Sequence, residues 1–150
     1  MNTAKKMRLP VLLAALAGLA AAPLLAAEVT AKDAWARATT PGAKVAAAYV
    51  TFTNSGSEER KLLKIVTPVA DEITLHRTTI TAEGTARMWP LSGLAVEGGQ
   101  TVRMDPGGVH VMLGKLTGPL VAGQKFPLTI KFDGGEPEFT VMVEVRPLVP

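Results

Sequence analysis

The sequence contains no cysteine, and that absence removes a range of chemistry. Without a thiol there is no disulfide framework, no thiolate nucleophile, no Cys-ligated zinc and no blue-copper centre, which needs a Cys ligand. Nor is there a cysteine for lipid attachment at the end of an export leader. Aromatic residues make up only 5% of the 150 positions. No Lys/Arg cluster is interleaved with them, so the footprint of a nucleic-acid surface is missing. No apolar run reaches the roughly 20 residues that a spanning helix needs; the run Val11 to Ala22 is Ala-rich and is broken by Pro23. Excess charge is also absent once the first residues are set aside. The net charge of +3 comes from Lys5, Lys6 and Arg8, and beyond them 13 basic residues face 13 acidic ones.

What is present begins with a leader. A basic start, the apolar centre Val11 to Ala22 and the small residues Ala26 and Ala27 are the three parts of a secretory signal peptide. Cleavage is expected after Ala27. Leu25, three positions back from the cut, fits poorly, and Ala26 or Ala22 offers an alternative. The leader, residues 1–27, is expected to be helical over roughly residues 9–22 and to pack poorly on the domain that follows. That domain, residues 28–150, is expected to have no membrane span and to act outside the cytoplasm. Its roughly 120 residues suffice for an ordinary hydrophobic core without disulfides.

Beyond the leader the chain reads as short strands between turn residues. Strands are expected at 28–37, 45–53, 62–66, 72–80, 85–89, 101–104, 109–113, 126–132 and 138–145, with a loop over 119–125. Gly, Pro and Asn punctuate them at Thr39–Gly42, Asn54–Gly56, Gly98–Gly99, Pro106–Gly108 and Asp133–Gly135. Strands spaced about 8 to 12 residues apart with such punctuation argue for an all-β antiparallel sandwich or barrel. Tyr49, Val50 and Phe52 are core candidates.

The chemistry lies in the histidines and methionines. Only two His are present, His76 and His110, and four Met follow the leader. In Val109–Leu113 the aliphatics alternate with His110 and Met112, so that pair shares the face opposite to Val109, Val111 and Leu113. His76 likewise lies off the face of Ile73 and Leu75. If residues 72–80 and 85–89 form a hairpin centred on Ala82, His76 stands directly opposite Met88. That arrangement requires an odd-numbered loop or a bulge, because a two-residue turn would put Met88 on the other face. Two imidazoles and two thioethers make a soft, uncharged ligand set suited to Cu(I). Zinc would call for Cys or carboxylate, and calcium for oxygen clusters. Met104 and Met142 are expected to fill gaps in the core, and Trp89, alternating with Met88, to be partly buried there. On residue chemistry alone, a copper site and an incidental placement of His and Met both stay open.

The spacing narrows the choice. His76 is followed by Arg77, ten residues and Met88; 21 residues later come His110, one residue and Met112. With Asp33–Arg37, Ala48–Tyr49, Asn54 and Met104–Leu113, this pattern resembles the periplasmic copper chaperones of the copper A chaperone (PCuAC) family over nearly all of the chain after the leader. The resemblance implies a cupredoxin-like Greek-key β-barrel or sandwich that binds one Cu(I) through His76, Met88, His110 and Met112. It implies a periplasmic carrier, not an enzyme. The copper would go to the dinuclear copper site of cytochrome c oxidase subunit II, with a thiol-containing copper chaperone as a further partner. Two positions depart from the family: Arg77 stands where many members have Met, and no His- and Met-rich tail follows Val145. Arg77 is expected on the face opposite His76. The rival reading is an immunoglobulin-like extracellular binding or adhesion domain in which His and Met are incidental.

Overall fold

The computed structural model describes residues 28–148; the leader expectation lies outside the described residues. Ten strands follow in order: β1 Val29–Arg37, β2 Val45–Asn54, β3 Arg60–Val66, β4 Ala70–Ile80, β5 Ala86–Leu91, β6 Ala95–Val96, β7 Thr101–Arg103, β8 Val109–Leu116, β9 Lys125–Phe132 and β10 Phe139–Arg146. No helix occurs among the described residues. The fold is therefore all-β, as expected, and β6 is the one strand that the turn spacing does not announce.

The strands join edge to edge as β5-β4-β8-β2-β1-β10-β9-β3-β6, with β7 pairing to β2. All pairs are antiparallel except β1 with β10. Phe52 on β2 meets Phe132 on β9 edge to face at 5.2 Å between ring centroids, although β1 and β10 separate those strands in the sheet. The sheet thus wraps over itself, and the two inner faces close on a core of Val50, Phe52, Leu113, Phe126, Leu128, Ile130 and Phe132. Alternation explains most of it. Ala48, Val50 and Phe52 on β2, and Phe126 to Phe132 at every second residue on β9, are the inward set.

One irregularity sets the face of an aromatic residue. Register slips between Lys32 and Trp35, where Asp33 takes a positive φ of 52°. This bulge inserts a residue and reverses the alternation. Val29 is buried before it and Ala34 and Ala36 after it, which leaves Trp35 on the other face of the sheet, paired with Tyr49.

Asn54, at the end of β2, is fully buried. Its amide donates to Glu58 O (2.7 Å) and Val96 O (2.9 Å) and its Oδ1 accepts from Gly56 N (3.0 Å). A buried amide so satisfied ties β2 to the short β6 at the far edge.

Candidate metal centre

β4 and β8 lie side by side, and His76 is the direct cross-strand partner of His110. Their rings stand 5.9 Å apart between centroids and are inclined at 73°. Met112 lies two residues along β8 and pairs with Thr74, so it is a diagonal neighbour of His76. The face expected for His110 and Met112 is therefore the face that His76 occupies.

Met88 reaches the same face by a different register than expected. Thr81 N bonds to Thr85 O at 2.9 Å and Gly84 N to Thr81 O at 2.9 Å, leaving the three-residue loop Ala82–Gly84. Gly84 takes φ +80°, the left-handed residue that closes such a loop. The turn is thus centred on Glu83, not on Ala82. Shifting the centre by one residue moves every partner by two. His76 stands opposite Pro90, and Met88 opposite Thr78. The loop is odd-numbered, so Met88 keeps the face of His76 and becomes its diagonal neighbour. Diagonal pairs lie roughly 7–8 Å apart, within reach of long side chains. His76 is the hub: His110 faces it squarely, Met112 sits on one diagonal and Met88 on the other.

The two rings have different surroundings. His110 is buried, with 3% of its surface exposed, and its Nδ1 lies 3.3 Å from Gly108 O. With Nδ1 donating to that carbonyl, Nε2 keeps its lone pair free. Gly108 O also accepts from Thr78 N at 2.9 Å, so one carbonyl anchors both the ring and the strand that carries His76. The loop behind it is closed by Asp105, whose Oδ1 accepts from Gly107 N (3.0 Å) and whose O accepts from Gly108 N (3.1 Å). His76 Nδ1, by contrast, is buried with no hydrogen-bond partner. A buried nitrogen left without a partner is costly and fits a group that an ion completes. Met112 is half-buried and Met88 is 50% exposed. Among the described residues no group of three His, Cys, Asp or Glu side chains could hold a metal. The set that fits is soft, and it matches Cu(I).

Two aromatic residues extend the row. Tyr49 pairs onward from His110, at 6.3 Å between ring centroids, and Trp35 lies 4.4 Å from Tyr49. Arg146 stacks on Trp35, with its guanidinium carbon 4.8 Å from the ring centroid. Tyr49 is buried, as expected of a core candidate, but on the face of His110, not on that of Val50 and Phe52. Burial pushes its phenol above the ordinary value of 10.0; Arg37 lowers it and Asp105 raises it. The alternation of β2 could have shown this face, because Tyr49 is out of step with Val50 and Phe52.

Two further expectations are corrected. Met104 is core, at 2% exposure, but Met142 is 52% exposed on β10. It shares its face with Thr140 and Glu144, which points to solvent. Trp89 is 53% exposed. It pairs with Arg77 on the face opposite His76 and Met88, but there the β4–β5 hairpin has run past the core that covers Leu75. Arg77 does lie on the face away from His76 and is exposed. A shallow groove of about 260 Å³ between β3 and β4 takes Ile73 and Leu75 from that same face. It includes none of the four His and Met side chains.

The comparisons agree with this architecture. The model of the family described as "Putative lipoprotein LpqE-like" matches residues 29–145. A curated relative, "Putative lipoprotein Lxx21020" of Leifsonia xyli subsp. xyli, is 34% identical over 108 residues, 71% of this chain and 63% of that protein; the chain spans less than two thirds of that relative's length. Among solved structures, the copper-bound PCuAC domain from PmoF2 superimposes with a TM-score of 0.67 at 21% identity, covering 81% of this chain and 94% of that domain. At that identity the likeness shows the fold, which is cupredoxin-like. The solution structure of apo-DR1885 from Deinococcus radiodurans is 30% identical over 99% of this chain and 98% of that one, with a TM-score of 0.61. The CuI-DR1885 structure is 29% identical over 87% and 83%, with a TM-score of 0.58.

Proposed function

The chain belongs to the LpqE-like family, and from that premise we propose that it is an exported Cu(I) carrier of the PCuAC type. His76, Met88, His110 and Met112 would hold one ion. The observation that carries the reading is the facing pair of histidines, one with Nδ1 engaged by Gly108 O and the other with Nδ1 buried and unpartnered. In this reading the pair would present nitrogen lone pairs to one ion, and the flanking thioethers would add softness without charge. Copper here is what the protein carries. Four ligands leave no open position for a substrate, so the reading is a chaperone and not an enzyme. Thioethers suit an oxidising compartment, where thiols are lost to disulfides, in keeping with action in the periplasm. The recipient in this reading is the dinuclear copper site of cytochrome c oxidase subunit II, with a thiol-containing copper chaperone as an intermediate partner.

Titration with Cu(I) against a chromogenic chelator tests the binding. One equivalent should be withdrawn from the chelator by the wild type and none by a His76→Ala/His110→Ala variant. Equal competition by that variant would sink the site. Mixing the loaded protein with the reduced, soluble copper domain of subunit II then tests delivery, read as the copper retained by that domain after separation and, once a one-electron oxidant such as ferricyanide is added, as the appearance of its copper spectrum.

A further inference from the structure

Glu28, the residue immediately before β1, is anchored at every polar group. Its carbonyl accepts from Ser55 N (2.8 Å) and Ser55 Oγ (3.1 Å). Its carboxylate pairs with Arg60 Nη2, and its backbone nitrogen donates to Oε1 of Glu136 at 2.7 Å. Glu136 lies in the loop between β9 and β10. Its second oxygen, Oε2, is buried and has no hydrogen-bond partner. The ammonium of Lys131 does not serve it: Lys131 Nζ donates instead to the main-chain carbonyl of Glu136, at 2.9 Å. Glu28 is thus paired with a guanidinium, whereas Glu136 has no ion-pair partner among the described residues and one of its oxygens goes without a donor.

A buried carboxylate oxygen needs a donor, and a buried carboxylate needs a cation. A peptide nitrogen at residue 28 brings one hydrogen and no charge. A free α-ammonium at the same nitrogen brings three hydrogens and a positive charge, since its ordinary pKa is about 7.7–8.0. It would serve Oε2 as well as Oε1 and balance the two carboxylates against two cations. We propose that Glu28 is the first residue of the processed chain, and that Glu136 is the receptor for the α-ammonium released there. The step is hydrolysis by a signal peptidase: water adds across the Ala27–Glu28 amide, leaving a carboxylate on Ala27 and the ammonium on Glu28. Of the three cuts that the leader's sequence leaves open, after Ala22, Ala26 or Ala27, only the last puts the charge on the nitrogen that faces Glu136. Export and folding are thereby coupled: cutting the leader adds an ion pair that the precursor lacks. This inference is independent of the copper reading.

Two measurements test it. The precursor is expressed in a Gram-negative host, and the exported protein is analysed by intact mass and N-terminal sequencing. A start at Glu28 is expected; a start at any other residue overturns the proposal. Four proteins are then made by tag removal, starting at Glu28 or at Ala27, each with Glu136 or with Glu136→Gln. With Glu136 intact, the Glu28 start should melt higher by on the order of 3–6 °C, and the gap should shrink at high salt. Glu136→Gln should abolish that difference. Equal melting of the two starts with Glu136 present refutes the receptor role even if the Gln variants fail to fold. So does a gap that survives in the Gln variants.

Discussion

The inner face beneath β2 and the face of β4 and β8 that carries His76, His110 and Met112 are built on opposite terms. The first is apolar and closed, with Phe52, Phe126 and Phe132 at 2% exposure or less. The second keeps a buried nitrogen without a partner, a half-exposed Met88 and a hairpin that overhangs the core. Close packing makes the core the source of stability. Unsatisfied groups and exposed soft atoms contribute nothing to folding. On this face they are the groups that a bound ion would complete. The same fold therefore separates what holds it together from what it presents.

That separation can be broken from either side. The largest effect is expected from Phe52→Ala, which should cost about 3–5 kcal/mol by cavity formation. Urea unfolding would measure the loss, and Cu(I) stoichiometry at low temperature should stay at that of the wild type. Met112→Leu attacks the other side. Its volume is conserved, so stability should move by less than about 1.5 kcal/mol. Cu(I) affinity should fall by at least the roughly 10–100-fold that even an outer partner of a metal ligand commands. Wild-type affinity in this variant would remove the thioether from the ligand set.

A smaller effect should follow from Asp105→Ala, which deletes the acceptor that closes the loop on Gly107 N. With Gly108 O less well placed, about a tenfold loss of Cu(I) affinity is expected. Nitrogen chemical shifts should show His110 losing its Nδ1–H tautomer. Asp105→Asn keeps an acceptor oxygen and should restore both. The smallest effect is spectroscopic. Tyr49 is the only tyrosine in the sequence, so ultraviolet absorbance reports it alone. Its titration should lie above 10.0 and move down in Asp105→Asn, because Asp105 raises it. The unfolded chain gives up that proton first, so this contribution to stability is complete below pH 10 and declines as pH rises.

Much of this was legible because strands have a period of two. Alternation alone places His110 with Met112, and His76 away from Ile73 and Leu75. It also makes an odd-numbered loop the condition for Met88 to join them. What alternation does not encode is which residue closes the turn. Gly84 in the left-handed region centres the loop on Glu83, and the partner of His76 becomes Pro90. Nor does local pattern show where the core ends along a hairpin. Trp89 follows the same alternation as Leu91, yet it stands beyond the packed layers. Met142 misled for a simpler reason: its polar neighbours Thr140 and Glu144 outweigh its own apolarity. β6 escaped notice because two residues carry no period at all. Its place is marked instead by the carbonyl of Val96, which Asn54 caps.

The partner of His76 has one more effect. β5 is an outermost strand, and free strand edges invite other chains to add on and grow into aggregates. The bond from Thr81 N to Thr85 O sets the ladder's phase. Counting back by alternation makes His76–Pro90 a non-hydrogen-bonded pair, so the main-chain nitrogen of residue 90 faces outward. Proline supplies no hydrogen there. The rim that carries Met88 thus lacks, at residue 90, one of the outward donors to which another strand would bond. A strand added along β5 would leave that position of its ladder without a bond.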